Sequence, residues 1–269
     1  MIMVANEGHA LQFKSSNDVR HSVENGVLTV TIDRPEKRNP LSLGVLERIR
    51  EIFLGYREDD SLRCAVVTGS GTQSFASGGD LAELATYRDH QDAISFSRHG
   101  RAALDAVRTF PVPVIARVNG VALGGGAELA LSCDMRFAAA TARIGFIHGK
   151  LHIAPSWGGG NDLARLVGPA RALDLMTKST ILGAEDAVEI GLFNAAAPAN
   201  EPFKPWLEAQ LGTVLSNPPQ VMRAFKSIIV AGRPADRLSA LELETEYFAD
   251  VWVHSDHWAA VTKLESRGK

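Results

Sequence analysis

The chemistry of this chain gathers around one carboxylate set among glycines. In Leu123-Gly124-Gly125-Gly126-Ala127-Glu128-Leu129-Ala130 the glycines open an Ala/Leu-rich stretch that reads as a helix, and Glu128 falls in its first turn. The N–H groups at a helix start have no intrahelical partner, and the helix dipole adds partial positive charge there. Glycine lets another molecule approach such a backbone closely. A second turn of the same kind is Ser74-Phe75-Ala76-Ser77-Gly78-Gly79-Asp80-Leu81. If the two turns face each other, each can give one N–H to a single oxygen. One donor of such a pair is worth roughly 10²–10³ in rate. With a proton-transfer group alongside, the pattern suits a carbonyl whose oxygen becomes an anion.

Each feature also has a plainer structural reading. Glycine clusters often mark nothing more than tight turns. A glutamate in a first helical turn is often a surface carboxylate favoured by the dipole. A single histidine such as His148 is more often structural than catalytic. Neither turn fits G-x-G-x-x-G or G-x-x-x-x-G-K-[ST], so nucleotide binding through those loops is not supported. The chain has no G-x-S-x-G, which argues against a nucleophile-elbow hydrolase. His148 and His152, or His254 and His257, have helical spacing, but no third ligand follows at a recognised interval, so no metal site is expected.

The elements that must position these residues follow from pattern. Asn25-Gly26 is a favoured two-residue turn, so Arg20 to Asp33 reads as a hairpin with the alternating strand Val27–Ile32. Ser42 is placed to cap a helix whose apolar positions are Leu43, Val45, Leu46, Ile49, Ile52 and Phe53. Cys64–Thr68 reads as a buried strand, and a loop from Gly69 to Gly79 leads to a helix near Asp80. A longer helix covers 93–109, a strand 113–118, a helix 125–133 and a short strand 135–138. This repeated order predicts an α/β fold. Past Glu201 the pattern turns helical, with segments 201–215, 219–231 and 236–250 punctuated by Asn217-Pro218-Pro219 and Arg233-Pro234.

Composition bounds the class. Of 269 residues, 45% are hydrophobic and 22% charged, the balance expected of an ordinary soluble globular protein. A net charge of −3 argues against nucleic acid as the main partner. The most apolar window, 112–133, is broken by Arg117, Asn119 and Glu128, which makes it a poor membrane span. Residues 1–20 carry no apolar core of a secretory signal. Cys64 and Cys133 sit in apolar runs and read as buried thiols of a reducing, cytoplasmic setting.

Taken together, the motifs resemble the crotonase (enoyl-CoA hydratase/isomerase) superfamily. The resemblance rests on Phe75-Ala76-Ser77-Gly78-Gly79-Asp80 paired with Asn119-Gly120-x-Ala122-Leu123-Gly124-Gly125-Gly126-Ala127-Glu128. Pro155-Ser156-Trp157-Gly158-Gly159 and Gly183-Ala184-Glu185-Asp186-Ala187 add to it. It implies a crotonase-like spiral of ββα units over residues 10–200 and a helical oligomerisation region over 201–269, in trimers or hexamers. It implies an acyl-CoA thioester as substrate, coenzyme A being part of that substrate and no separate cofactor being needed. It places oxyanion donors at the N–H groups of Gly79 and Gly125. It also implies that Ser77, Gly79, Asp80, Leu81 and Ala82 line the CoA site. Trp157 is expected to shape the acyl pocket, and Trp252 and Trp258 to serve the helical region.

The superfamily divides by its acids. Hydratases use two glutamates, the first aligning with Glu128. The second belongs seven residues before the proline of the glycine-rich segment, and counting back from Pro155 gives His148. Double-bond isomerases rely on the same missing glutamate, and dienoyl isomerases carry an aspartate where Ser156 stands. Phe146-x-His148, Pro155-Ser156-Trp157-Gly158-Gly159 and Pro218-Pro219-x-Val221-x-Arg223-Ala224 resemble the ethylmalonyl-CoA decarboxylase group. That resemblance implies loss of CO₂ from an alkylmalonyl-CoA, with Glu128 or His148 returning a proton to carbon. The alternative is enoyl-CoA hydration with His148 in place of a glutamate. An alternative of another class is a non-catalytic or RNA-binding protein of the same fold, against which the acidic balance and the intact glycines both count.

Overall fold

Asn25 and Gly26 both take positive φ, 52° and 76°, the twist a two-residue hairpin turn requires. In the computed structural model, which describes residues 15–84 and 90–231, this turn joins β1 (Val19–Glu24) to β2 (Val27–Ile32) in antiparallel register. Leu28, Val30 and Ile32 alternate inward along β2, as period-two patterning dictates. Ser42 Oγ accepts from the Val45 N–H and caps α1 (Leu43–Gly55), whose buried face is the expected apolar set.

The chain then winds in turns that each supply one strand to a large sheet, one to a small sheet and a helical stretch. The first turn is β3 (Cys64–Gly69), β4 (Ser74–Ala76), α2 (Leu81–Leu84) and α3 (His90–Arg108). The second is β5 (Val114–Val118), β6 (Val121–Leu123) and α4 (Gly125–Ser132). The third is β7 (Met135–Ala138), β8 (Arg143–Gly145), then α5 (Gly159–Val167) and α6 (Pro169–Thr177). The chain closes through β9 (Ile181–Gly183), α7 (Ala184–Glu189) and β10 (Ala195–Ala196). The large sheet runs β1-β2-β3-β5-β7-β10 and the small one β4-β6-β8-β9. This is the expected spiral of ββα units. The stretch 69–79, expected as loop, contains the buried strand β4, which pairs with β6 in parallel.

Two buried asparagines hold the crossing from one sheet to the other. Asn119 Oδ1 accepts from the Gly69 N–H, while its Nδ2 donates to Gly71 O and Ser74 O. Asn39 Nδ2 donates to Ser70 O and Ser74 O, and its Oδ1 accepts from the Arg34 N–H. Buried amides with every arm engaged fix the backbone that carries them. The glycine turn after β4 starts from that fixed point.

One face of the large sheet packs on α1, α3 and α4 in the main core. On its other face Cys64, Val66, Ile115 and Phe137 meet Leu207 of α8 (Phe203–Val214). The last described element, α9 (Pro219–Ala231), sends Lys226 to a buried ion pair with Asp134, whose carboxylate also accepts from the Val114 N–H. Both helices lie where the sequence predicts helices. The segment expected at 236–250, Trp252, Trp258 and the pair His254/His257 lie outside the described residues. Among the described residues, no helix is long and apolar enough to cross a membrane.

Candidate active site

The two glycine turns lie against each other. Gly78 takes φ 115°, and a Cβ built on it would sit 3.2 Å from Leu123 O. Gly124 takes φ 52° with ψ −121°, a backbone that glycine alone adopts readily. A Cβ on Gly126 would overlap the Ala76 carbonyl. The turns touch backbone to backbone because side chains are missing at their contact.

Gly79 forms a parallel bridge with Leu41. In that bridge Leu41 N–H donates to Gly78 O at 2.8 Å and Asp80 N–H to Leu41 O at 3.1 Å. A parallel bridge of this kind uses the groups on either side of Gly79 and turns its own N–H away from Leu41. Gly125 is the first residue of α4, so its N–H has no partner in the preceding turn. Among the described residues, neither N–H meets an acceptor. Both glycines line one cavity of about 550 Å³.

Glu128 stands one helical turn beyond Gly125 and is 2% exposed. Its Oε2 accepts two backbone N–H bonds, from Trp157 and Gly159, both at 2.9 Å. Gly159 opens α5, so the carboxylate satisfies orphan donors at the start of that helix, where negative charge is favoured. A Cβ on Gly159 would overlap the Glu128 side chain, so glycine is what lets the helix start this close. The other oxygen, Oε1, lies 3.2 Å from His148 Nε2. His148 is 9% exposed, on a short 3-10 turn (Ile147–Leu151), and its Nδ1 is buried with no hydrogen-bond partner among the described residues. With Nε2 carrying its hydrogen, the imidazole donates to Glu128.

Trp157 is 4% exposed, and its indole fills a slot beside both turns. A Cβ on Gly125 or on Gly100 of α3 would overlap the ring, and one on Gly79 would come within 3.9 Å of its Cη2. Its backbone is fixed from both ends. The N–H is given to Glu128, and the carbonyl accepts from Arg108 at 2.8 Å. Arg108 in turn holds Asp162 of α5 at 2.8 Å.

The structure thus brings Ser77, Gly79, Gly125, Glu128, His148 and Trp157 into one cavity wall. Asp80 and Ala82 lie outside that wall. The Asp80 carboxylate pairs with Arg34 at 2.9 Å, and Ala82 is exposed. Leu81 opens α2, and its side chain is not among those described. Sequence reasoning did not single out Gly100, Arg108 or Lys150, and it quoted Gly159 within a motif without giving it a role. Lys150 is the one lysine or arginine among the described residues lining this cavity. The signal for Gly100 was a glycine inside a helical pattern, which costs stability unless something packs on it. Ser77 also borders a smaller cavity of about 170 Å³, whose wall includes Arg38 and Gln73.

Comparison with known proteins agrees with this architecture. The profile described as "Enoyl-CoA hydratase/isomerase" matches residues 22–268. A crotonyl-CoA hydratase of Syntrophomonas wolfei is 32% identical over 91% of this chain and 94% of its own length. The ethylmalonyl-CoA decarboxylase of Homo sapiens is 29% identical over 94% of this chain and 82% of its own. Among solved structures, an enoyl-CoA hydratase from Bacillus anthracis superposes with a TM-score of 0.86 at 29% identity, covering 93% of this chain and 97% of that one.

Proposed function

The chain belongs to the enoyl-CoA hydratase/isomerase family, the crotonase superfamily, and is an acyl-CoA enzyme of it; from that premise we propose that it decarboxylates an alkylmalonyl-CoA such as ethylmalonyl- or methylmalonyl-CoA. One observation carries this reading. Both oxygens of Glu128 are engaged, Oε2 by two backbone amides and Oε1 by His148. Hydration in this family's pattern needs two carboxylates to place and activate a water. Here one position holds a histidine, and the remaining carboxylate is fully occupied. Decarboxylation asks less of these groups.

In this reading the thioester oxygen accepts from the N–H groups of Gly79 and Gly125. The bond from the α-carbon to the malonyl carboxylate breaks, and its electron pair forms an enolate. The negative charge moves to the thioester oxygen, where the two donors are aimed at the charge as it develops. CO₂ leaves. One proton held by the His148–Glu128 pair then goes to the α-carbon, and solvent restores it. Glu128 keeps the imidazole oriented, as a carboxylate partner does for a proton-carrying histidine. The coenzyme A moiety is part of the substrate. Its phosphates need cations, and Arg38 beside Ser77 supports a nucleotide end on that side of the glycine turn.

A second reading is enoyl-CoA hydration, favoured by the relatives named crotonyl-CoA hydratase and short-chain-enoyl-CoA hydratase, each 32% identical. Incubating the protein with ethylmalonyl-CoA and with crotonyl-CoA separates the two. Decarboxylation predicts CO₂ release from the first and little loss of the enoyl absorbance of the second. The reverse outcome assigns the hydratase. A homotrimer or hexamer and a cytoplasmic setting remain part of the proposal, to be checked by sedimentation and by fractionation.

A further inference from the structure

We infer that the Trp157 indole is the wall that limits the length of the acyl group, an inference that rests on reading the cavity as the thioester site. The indole lies between Gly100 of α3 and Gly125 of α4, and it reaches toward Gly79. Those neighbours have no side chains. The ring therefore occupies space that a side chain on Gly100 or Gly125 would need. Phe96 and Leu84 add apolar surface to the same cavity.

The indole Nε1 is buried, with no hydrogen-bond partner among the described residues. An orphaned buried donor carries a desolvation cost that an apolar side chain of similar size would avoid. Hydrogen bonding therefore does not account for the ring, whereas bulk does. The ring lines the same cavity as Gly79 and Gly125 and packs on Gly125, so an acyl chain held there by its thioester runs against it. Each added methylene gains affinity only where the pocket can bury it. Without the ring, Gly100 and Gly125 offer no side chain to take up the space it vacates. The contact that holds Glu128 comes from the Trp157 backbone N–H, so replacing the side chain leaves that donor in place.

The test is calorimetric titration of the full chain with straight-chain saturated acyl-CoAs from acetyl to decanoyl. None of these carries a malonyl carboxylate, so the decarboxylation step plays no part. The wild type is expected to bind butyryl-CoA at least roughly tenfold more tightly than decanoyl-CoA, and Trp157→Ala to erase or reverse that ratio. Trp157→Leu, which keeps more of the core filled, is expected to fall between them and serves if the alanine variant does not fold. A wild type that binds decanoyl-CoA as well as butyryl-CoA overturns the inference, and so does an unchanged length profile in both variants. Absence of binding for every acyl-CoA overturns the thioester reading with it, a result distinct from an unchanged profile.

Discussion

His148 Nε2 lies 3.2 Å from Glu128 Oε1, and the imidazole thereby takes the last unengaged oxygen of a carboxylate already fixed by two backbone amides. The pair is buried and shares one proton-carrying contact. It lines the same cavity as Gly79 and Gly125, and in the proposed reaction it is the acid–base apparatus beside their N–H groups. Removing the imidazole from His148→Gln should cost about 10²–10⁴ in kcat while changing KM little, because a proton donor acts in the transition state. Glu128→Gln should cost a similar factor, since an amide cannot hold the imidazole as a carboxylate does. Steady-state kinetics on ethylmalonyl-CoA check both. Full activity in either variant removes that residue from the mechanism.

Arg108 acts through Trp157. Its guanidinium holds the Trp157 carbonyl at 2.8 Å and Asp162 of α5, and that turn presents the amides that fix Glu128. Arg108→Met should lower kcat by about tenfold to a hundredfold through misplacement of Glu128. Arg108→Lys, which keeps the charge but loses the fork, should recover little of it. A variant with wild-type kcat and only a lower melting temperature would make the clamp purely structural.

Glycine substitutions should split by contact. A Cβ on Gly126 would overlap the Ala76 backbone carbonyl, which has no flexible end to move. Gly126→Ala should therefore destabilise the fold and separate the two turns. Among the described residues nothing lies within 4 Å of a Cβ built on Gly212 in α8, so Gly212→Ala should stabilise by about 0.4–1 kcal/mol through the unfolded state. Urea unfolding of the two variants gives the comparison. Equal midpoints would contradict it.

Both cysteines should be silent in the native state. Burial disfavours the thiolate and pushes Cys64 and Cys133 each up to about 12. At pH 8 the folded protein should therefore react slowly with a thiol reagent, with both groups appearing on denaturation. Rapid native titration of either thiol would place it nearer the surface than the fold does.

Much of this was legible in the chain. Asn25-Gly26 announced the hairpin, and Ser42 announced the start of α1, because both are local backbone chemistry. The offset from Pro155 led to His148, which the structure sets beside Glu128. The small sheet was not legible. Ser74–Ala76, Val121–Leu123 and Arg143–Gly145 are three residues each, too short for alternation to declare itself. The partners of Glu128 were hidden for another reason. They are the backbone amides of Trp157 and Gly159, and a backbone donor leaves no mark on residue type. Asp80 lay within a motif stretch, but Arg34 claims its carboxylate. That pairing joins positions far apart in sequence.

The central claim is that an enolate forms in the Gly79/Gly125 site by loss of CO₂ and is then protonated on carbon. Running ethylmalonyl-CoA to completion in deuterium oxide and weighing the product tests it most directly. The account predicts one CO₂ per thioester consumed and butyryl-CoA with a single deuterium at the α-carbon. Ethylmalonyl-CoA left intact while crotonyl-CoA is converted to its 3-hydroxyacyl product would contradict it.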